Sequence, residues 1–431
     1  MTAVLAQQRR DSSRKLVAAV IAGGIITSIS LGTRYSFGLF LDPVIETLGT
    51  DKGAFSLVIA VQNIVWGLSQ PLAGAIADRY GTGRVLSAGG LAYFGSLIMM
   101  STADSSGVLL LSAGFLTGAA VSAASFTVVL SAIGRMAPPA QRSMALGVVS
   151  AAGSIGQFVI IPLTRQLLDS GTWRSTAVVL AFMTLAILVF APVLRGSASD
   201  QQSAAEKELQ GEGNGLRVDL RRAAASRSYL LLNLGFFVCG FHVVFIGTHL
   251  ASYARDVNVS DSAAAQALAL IGLFNVFGSL TAGYLGGRYN KSNLLAGLYG
   301  LRGLFILGYL LIPVSDTTTL IFGATIGLLW LSTVPLTSGI VNQMFGTRNA
   351  GTLFGIVFLS HQMGSFLGAW LAGEISDRTG SYNMAWWIAI GLAVMATVCH
   401  LLIDDGPVPN APAEVTFRLS AASGTAGFGA R

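Results

Sequence analysis

Twenty aspartates and glutamates occur in the chain, yet none falls in the middle of an apolar run; Asp42 and Glu374 come nearest, each at the end of one. Charged residues of both signs make up only 11% of the 431 residues, against roughly 25% in an ordinary soluble domain. That shortage excludes a soluble globular protein. Cysteine is scarce too: Cys239 and Cys399 both lie inside apolar runs, which indicates no disulfide framework and reads as two small buried hydrophobes. The chain has no Walker-type glycine loop, no cluster of metal ligands and no nucleophile with a matching base, so no enzyme activity, cofactor or metal is expected. The missing mid-span carboxylate also argues against export of cationic compounds, a task for which such a group attracts the cation and exchanges it for a proton.

What is abundant is apolar surface: 53% of residues are hydrophobic and the mean hydropathy is +0.66. Windows near the ~20 residues needed to cross ~30 Å of hydrocarbon recur along the whole chain. We place twelve spans at about 16–41, 54–77, 85–103, 108–134, 143–167, 175–195, 229–254, 263–286, 293–313, 318–344, 350–373 and 385–403. The start, "MTAVLAQQRRDSSRK", is polar and basic and leads into a long apolar run without an A-x-A cleavage signature, so span 1 reads as retained. The net charge of +6 is dispersed over short loops, which points to topology and not to nucleic acid. Alternate loops collect Arg9, Arg10, Arg14 and Lys15, then Arg79 and Arg84, Arg135 and Arg142, Lys207 to Arg227, Arg288 and Lys291, and Arg348; the opposite loops hold only Lys52, Arg165, Arg174, Arg255 and Arg378. By the positive-inside rule both termini are cytoplasmic.

The one long polar interruption divides the spans six and six. The expected organisation is a cytoplasmic tail at 1–15, a first half at 16–195, a cytoplasmic linker at 196–228, a second half at 229–403 and a cytoplasmic tail at 404–431. A faint repeat relates the halves: "AGAIADRY" at 73–80 answers "AGYLGGRY" at 282–289, and Gly147 and Gly156 answer Gly355 and Gly364. Duplicated halves place a solute site between them near the bilayer midplane and imply alternating access by rocking.

The stretch "GAIADRYGTGRV" at 74–85 resembles the loop 2–3 signature of the major facilitator superfamily, in which a glycine is followed three residues later by Asp-Arg-x-Gly and basic residues. The resemblance implies an all-α membrane fold of twelve transmembrane helices in two pseudo-symmetric halves, with Gly74, Asp78, Arg79, Gly81 and Arg84 in gating. "GTGR" stands where an adjacent basic pair is usual, and Gly287 stands opposite Asp78 in the second half, which implies asymmetric gating. Within the superfamily, "RYSFGLFLDPVIETLG", "GTHLASYARDVNVS" and "LSHQMGSFLGAWLAGEISDRTGSY" look like bacterial relatives of the monocarboxylate porters and oxalate/formate antiporters. Those porters carry an essential arginine in helix 8, whereas "GLFNVFGSLTAG" here has Asn275 and Ser279 instead. Arg34 is the candidate replacement.

Arg34 lies about 18 residues into span 1, roughly 27 Å along at ~1.5 Å per residue, beyond the midplane. It either holds an anion or serves a structural partner, and Tyr35 beside it offers a hydroxyl or simply packs. In span 2, Gln62, Trp66 and Gln70 share a face, with Asn63 beside them, for cavity contact or interhelical bonding. Gln157, Asn275 and Ser279 offer the same choice. His361 and Gln362 sit near the middle of span 11, and His242 in the middle of span 7; both histidines are candidates for substrate contact and proton coupling. His249 reads as a vestibule residue. It shares a face with His242, but no third ligand accompanies them, so no metal is expected. Arg302, near one end of span 9, reads as structural, its stem reaching the interface.

Together these features lead us to expect a secondary transporter of the bacterial inner membrane that moves a small organic anion, a monocarboxylate, by alternating access with proton symport. Its partners would be that solute, protons and the lipid bilayer, with no nucleic acid, and it would act as a monomer. The alternative is uptake or efflux of a neutral or aromatic solute such as a drug-like compound or vitamin, with Trp66, Phe37, Phe274 and Trp330 as stacking walls; a membrane sensor without flux is the remote one.

Overall fold

In hydrocarbon every backbone N–H and C=O must find a partner inside the protein, and a helix achieves this within one segment. A computed structural model describes residues 2–124, 126–137, 139–195, 216–346 and 349–408, with the side chains of 2–13, Asp78, Arg135, 139–144 and Ala350 outside that description. The gating candidate Asp78 therefore lies beyond it. The described residues are helical almost throughout. We number the transmembrane helices α1 (Thr2–Tyr35, continued by a 3-10 turn at Ser36–Phe40 and a short helix at Leu41–Leu48), α2 (Lys52–Tyr80), α3 (Thr82–Ser101) and α4 (Ser106–Leu109 to Phe126–Met136, with a π-helical stretch at Leu110–Leu116). They continue with α5 (Pro139–Ser170), α6 (Trp173–Thr184, then Ala186–Phe190), α7 (Arg227–Asp256), α8 (Asp261–Gly286), α9 (Lys291–Leu311), α10 (Asp316–Leu329 and Thr333–Phe345), α11 (Ala350–Thr379) and α12 (Asn383–Leu401). Among the described residues, eleven of these are long and apolar enough to cross a membrane; α3, with 20 residues, has glycine and serine in place of part of that apolar content.

Polar side chains set the ends. Asp51, Thr172, Ser226, Ser260, Asn290 and Ser315 each accept a backbone N–H in the first turn of the helix that follows. Gly81, at φ 95°, makes the turn between α2 and α3 that a side chain would strain. Between α6 and α7 the helix Leu216–Ala225 is tied to the second half: Arg222 pairs with Asp219 at 2.6 Å and donates to the Val408 carbonyl, and Asn349 donates to Asp219 at 2.8 Å.

The duplication is visible as packing. A Cβ on Gly156 would lie 2.2 Å from the Ser28 oxygen, and one on Gly32 would lie 2.6 Å from the Gly156 oxygen, so α1 and α5 touch backbone to backbone. Shifted by 208 residues, Gly240 and Gly364 make the same contact between α7 and α11, with added Cβ atoms 1.8 Å from the His361 oxygen and 1.9 Å from the Phe237 oxygen. The same shift sets Arg34 opposite His242.

Arg302 departs from the sequence reading. It is fully buried, and its guanidinium donates to the carbonyls of Leu329 and, at 2.7 Å, Trp330. Its stem turns inward because α10 is interrupted there, which frees two carbonyls that lipid could not satisfy. Asn275 completes the repair by accepting the Leu331 N–H at 2.9 Å.

The two halves meet along α2 against α11 and α5 against α8. At the end opposite the termini they are locked: Lys52 pairs with Asp256 at 2.9 Å, the N–H groups of Lys52 and Gly53 donate to Asp377, Arg255 reaches Asp42 and Glu46, and Arg165 reaches Asp261 at 3.2 Å. Gly38 packs so tightly on α7 that a Cβ there would lie 2.2 Å from the Gly247 oxygen. At the end bearing the termini the duplicated glycines stand clear: an added Cβ at Gly74, Gly147, Gly283 or Gly355 meets nothing within 4 Å. The two halves are thus held together by ion pairs and backbone contact at the far end.

Glycine packing gives a direct test. Gly364→Ala forces a side chain into backbone and should lower stability in detergent by about 1–3 kcal/mol, whereas Gly355→Ala should be neutral or slightly stabilising. Thermal unfolding of both variants measures the difference.

Candidate functional site

Arg34 occupies the last turn of α1, just before the helix tightens, and is 7% exposed. An isolated guanidinium in such a place costs several kcal/mol unless something accepts its hydrogens. No carboxylate does so among the described ion pairs. Asn63 on α2 supplies a carbonyl: its amide nitrogen donates to the Ile59 oxygen at 2.7 Å, which turns Oδ1 towards Arg34 to accept from Nη2. Two rings flank the guanidinium, Tyr35 at 5.5 Å and Trp66 at 5.1 Å from its carbon to their centroids. Trp66 is itself steered by a 3.0 Å bond to Gln70 and meets Phe358 of α11 edge-on. The Nε atom of Arg34 is buried and has no partner.

Beside this group a small cavity opens between α1, α2 and α7. Arg34, Tyr35, Phe37, Gly38, Ile59, Gln62, Val243, Val244, Gly247 and Thr248 line it; it has room for about one water molecule, and its wall mixes polar and apolar surface round one fixed positive charge. Gln62 reaches the cavity edge while donating to the Ala113 oxygen in the π-helical stretch of α4 at 2.8 Å.

A hydrogen-bonded chain continues from Arg34 into the second half. The backbone oxygen of Asn63 accepts from Gln362 at 3.1 Å, and Gln362 Oε1 lies 3.1 Å from His361 Nδ1. His361 stacks on Phe358 with its ring 5.7 Å away and packs on Phe236. Arg34, Tyr35, Asn63, Trp66, Gln362 and His361 are therefore brought together across the interface. Gln157, Asn275 and Ser279 form a separate crossing: Gln157 donates to the Leu268 oxygen at 2.9 Å, Asn275 donates to Ser154 at 2.9 Å, and Ser279 donates to Asn275 at 3.2 Å. His242 is not in the cavity wall. It is fully buried, with Nε2 2.8 Å from the Ala389 oxygen on α12.

The gating candidates sit at the open end, where Arg79 lies over Tyr80 and Arg84 donates to the Tyr80 oxygen at 3.3 Å. Sequence reasoning missed the walls Ile59, Val243, Val244, Gly247 and Thr248. Four of these five are apolar or glycine and look the same in sequence whether they face lipid or a cavity.

A twelve-helix bundle in two duplicated halves with a polar interface between them is the architecture of a membrane transporter. Residues 23–369 match the family model of the Major Facilitator Superfamily, and the chain belongs to that family. It is 24% identical over 378 residues to an uncharacterized MFS-type transporter, YcxA, of Bacillus subtilis (strain 168), covering 86% of this chain and 90% of that one. It is also 24% identical over 417 residues to monocarboxylate transporter 13 of Bos taurus, covering 93% of each. Among solved structures, a D-xylose-proton symporter superposes with TM-score 0.70 at 14% identity, over 92% of this chain and 97% of that one. A bacterial homolog of the human lysosomal transporter Spinster, inward-facing and occupied, gives TM-score 0.69 at 15% identity, over 89% and 96%. These two show the fold.

Asn63→Asp tests the geometry around Arg34. An internal carboxylate would neutralise the guanidinium in place, so the variant should fold with equal or greater thermal stability. Asn63→Leu leaves the charge with one acceptor fewer and should lose about 1–3 kcal/mol. Parallel melting curves of the two variants read out this opposite pair of shifts.

Proposed function

We propose that the protein moves a small organic anion, a monocarboxylate, across the bacterial inner membrane by alternating access, in symport with protons and as a monomer. Both termini face the cytoplasm, and the two six-helix halves at 16–195 and 229–403 rock about the site between them. The observation that carries this reading is Arg34: a buried guanidinium at the half interface, held by a neutral amide and not by a carboxylate, beside a cavity. A carboxylate solute supplies the missing countercharge; the water-sized cavity would widen to admit it as the halves part, with Phe37, Ile59, Val243 and Val244 against its hydrocarbon part. The names of the monocarboxylate transporter relatives support the same substrate class. Only one cation lines the cavity, which favours a single carboxylate over two. Closing the site round a neutralised anion and proton costs less desolvation than closing it round the bare anion, which is the physical ground for coupling. Gln362 and His361 continue the polar chain from Arg34 and are the proposed contacts in the second half.

Uptake of radiolabelled pyruvate and lactate into proteoliposomes, with and without an inward proton gradient, tests this. Wild type should show gradient-stimulated uptake, and Arg34→Gln should reduce it about ten- to hundredfold, the loss expected for one charged hydrogen-bonded contact. Equal uptake by wild type and a correctly inserted Arg34→Gln variant would remove the anion reading in favour of a neutral or aromatic solute held by Tyr35, Phe37 and Trp66.

A further inference from the structure

The locked far end contains a polar file that the substrate site does not use. Asp42, in the short helix that ends α1, belongs to the first half. Its Oδ1 accepts from Ser252 of α7 at 2.9 Å; the Ser252 oxygen lies 3.3 Å from the Tyr382 hydroxyl beside α12; and Tyr382 lies 3.1 Å from Nδ1 of His249. The other ring nitrogen of His249 is 2.8 Å from the Ala369 carbonyl of α11. Ser252, Tyr382 and His249 are at most 1% exposed, while the Asp42 side chain is 12% exposed and is the end that water can reach.

Counting hydrogens along this file gives a definite result. A carbonyl only accepts, so Nε2 of His249 carries a hydrogen committed to Ala369. Three links remain, from Asp42 to Ser252, Ser252 to Tyr382 and Tyr382 to Nδ1, and each needs one hydrogen. The two hydroxyls supply two. With Asp42 ionised and His249 neutral, one link is therefore empty; the Ser376 hydroxyl, which also reaches Tyr382, brings its own hydrogen and leaves that count unchanged. One added proton fills it in either direction. Placed on Nδ1, it gives an imidazolium and a carboxylate, with hydrogens pointing from His249 towards Asp42. Passed along Tyr382 and Ser252 it reverses every link and leaves a neutral imidazole and a neutral carboxyl group.

We propose that Asp42, Ser252, Tyr382 and His249 form a proton-binding relay that holds one proton and is complete only when the far end is closed. The relay bridges the halves solely through the link between Asp42 and Ser252, so opening the far end breaks it and proton binding favours closure. This rests on the proton-symport reading and gives it a site other than His361 or His242. Charged neighbours face the file from each packed element. Arg255 of α7 lies 3.5 Å from Asp42 and also meets Glu46 and Asp261 of α8. Lys52 of α2 sits 4.8 Å above the Tyr382 ring and pairs with Asp256, Tyr253 packs on Tyr382, and Asp377 and Glu374 of α11 approach Gly53.

Distances between spin labels at Ser105→Cys and Ser262→Cys, exposed positions on opposite halves of the far end, test the relay in the full-length reconstituted protein. The buried Cys239 and Cys399 are replaced in the background. Acidification should raise the ratio of closed to open far end by up to about tenfold per pH unit, the limit for one proton. Tyr382→Phe and His249→Leu should abolish that pH response. Asp42→Asn, whose amide fills the empty link without a proton, should make the distance independent of pH. A flat wild-type response, or one that persists in folded Tyr382→Phe, overturns the relay. Proton-driven lactate uptake is read on the same samples: uptake without the distance response removes the relay and leaves symport, whereas the response without uptake removes the symport reading and leaves the relay.

Discussion

A single positive charge held inside the membrane without a carboxylate organises the site. Arg34 can remain there because Asn63 turns a carbonyl towards it and because Tyr35 and Trp66 place ring faces against the guanidinium. Each of these contacts lowers the cost of burial, and none neutralises the charge. The residual positive potential beside the cavity is what an organic anion would relieve. Had an aspartate stood at position 63, the same fold would be better satisfied and less able to bind an anion.

The placement of that charge depends on backbone contact between helices. The contacts at Gly32 and Gly156 in the first half, and at Gly240 and Gly364 in the second, bring α1 against α5 and α7 against α11 with no side chain between them. The halves also touch backbone to backbone, at Gly38 on Gly247 and Gly272 on Ser154, and are joined besides by hydrogen bonds from Gln362 to Asn63 and from Gln157 to Leu268 and by ion pairs at the far end. The hydrogen bonds and ion pairs among these can be exchanged for water at modest net cost.

Much of the fold could be read from the sequence because lipid permits few solutions: a long apolar run becomes a helix, and a repeated motif marks duplicated halves. Arg34 was legible for a related reason, since a charge within an apolar run stands out. Its partner was not, because Asn63 is 29 positions away and an asparagine in a span equally suggests bonding to a neighbouring helix. Val243 and Val244 gave no signal, as an apolar residue facing a cavity is indistinguishable in sequence from one facing lipid. Arg302 was misjudged in direction because span 10 was read as unbroken, although Pro335, which cannot bond back to Leu331, marks the interruption of α10 at 330–332 that supplies its acceptors. The far-end file joins residues 210 positions apart in Asp42 and Ser252, a pairing set only by the packing of one half on the other.

Trp66, 5.1 Å from the guanidinium carbon of Arg34, provides a local reporter of what that charge binds. The most direct measurement is a fluorescence titration of the purified protein with a series of small monocarboxylates and with the corresponding primary amides, using Trp66→Phe to identify the responding residue. If Arg34 seeks a countercharge, carboxylates will give a saturable change that disappears in Trp66→Phe, and the amides, equal in shape but uncharged, will give none. Equal saturable responses to acids and amides would contradict that role and show that the cavity selects its solute without using the charge.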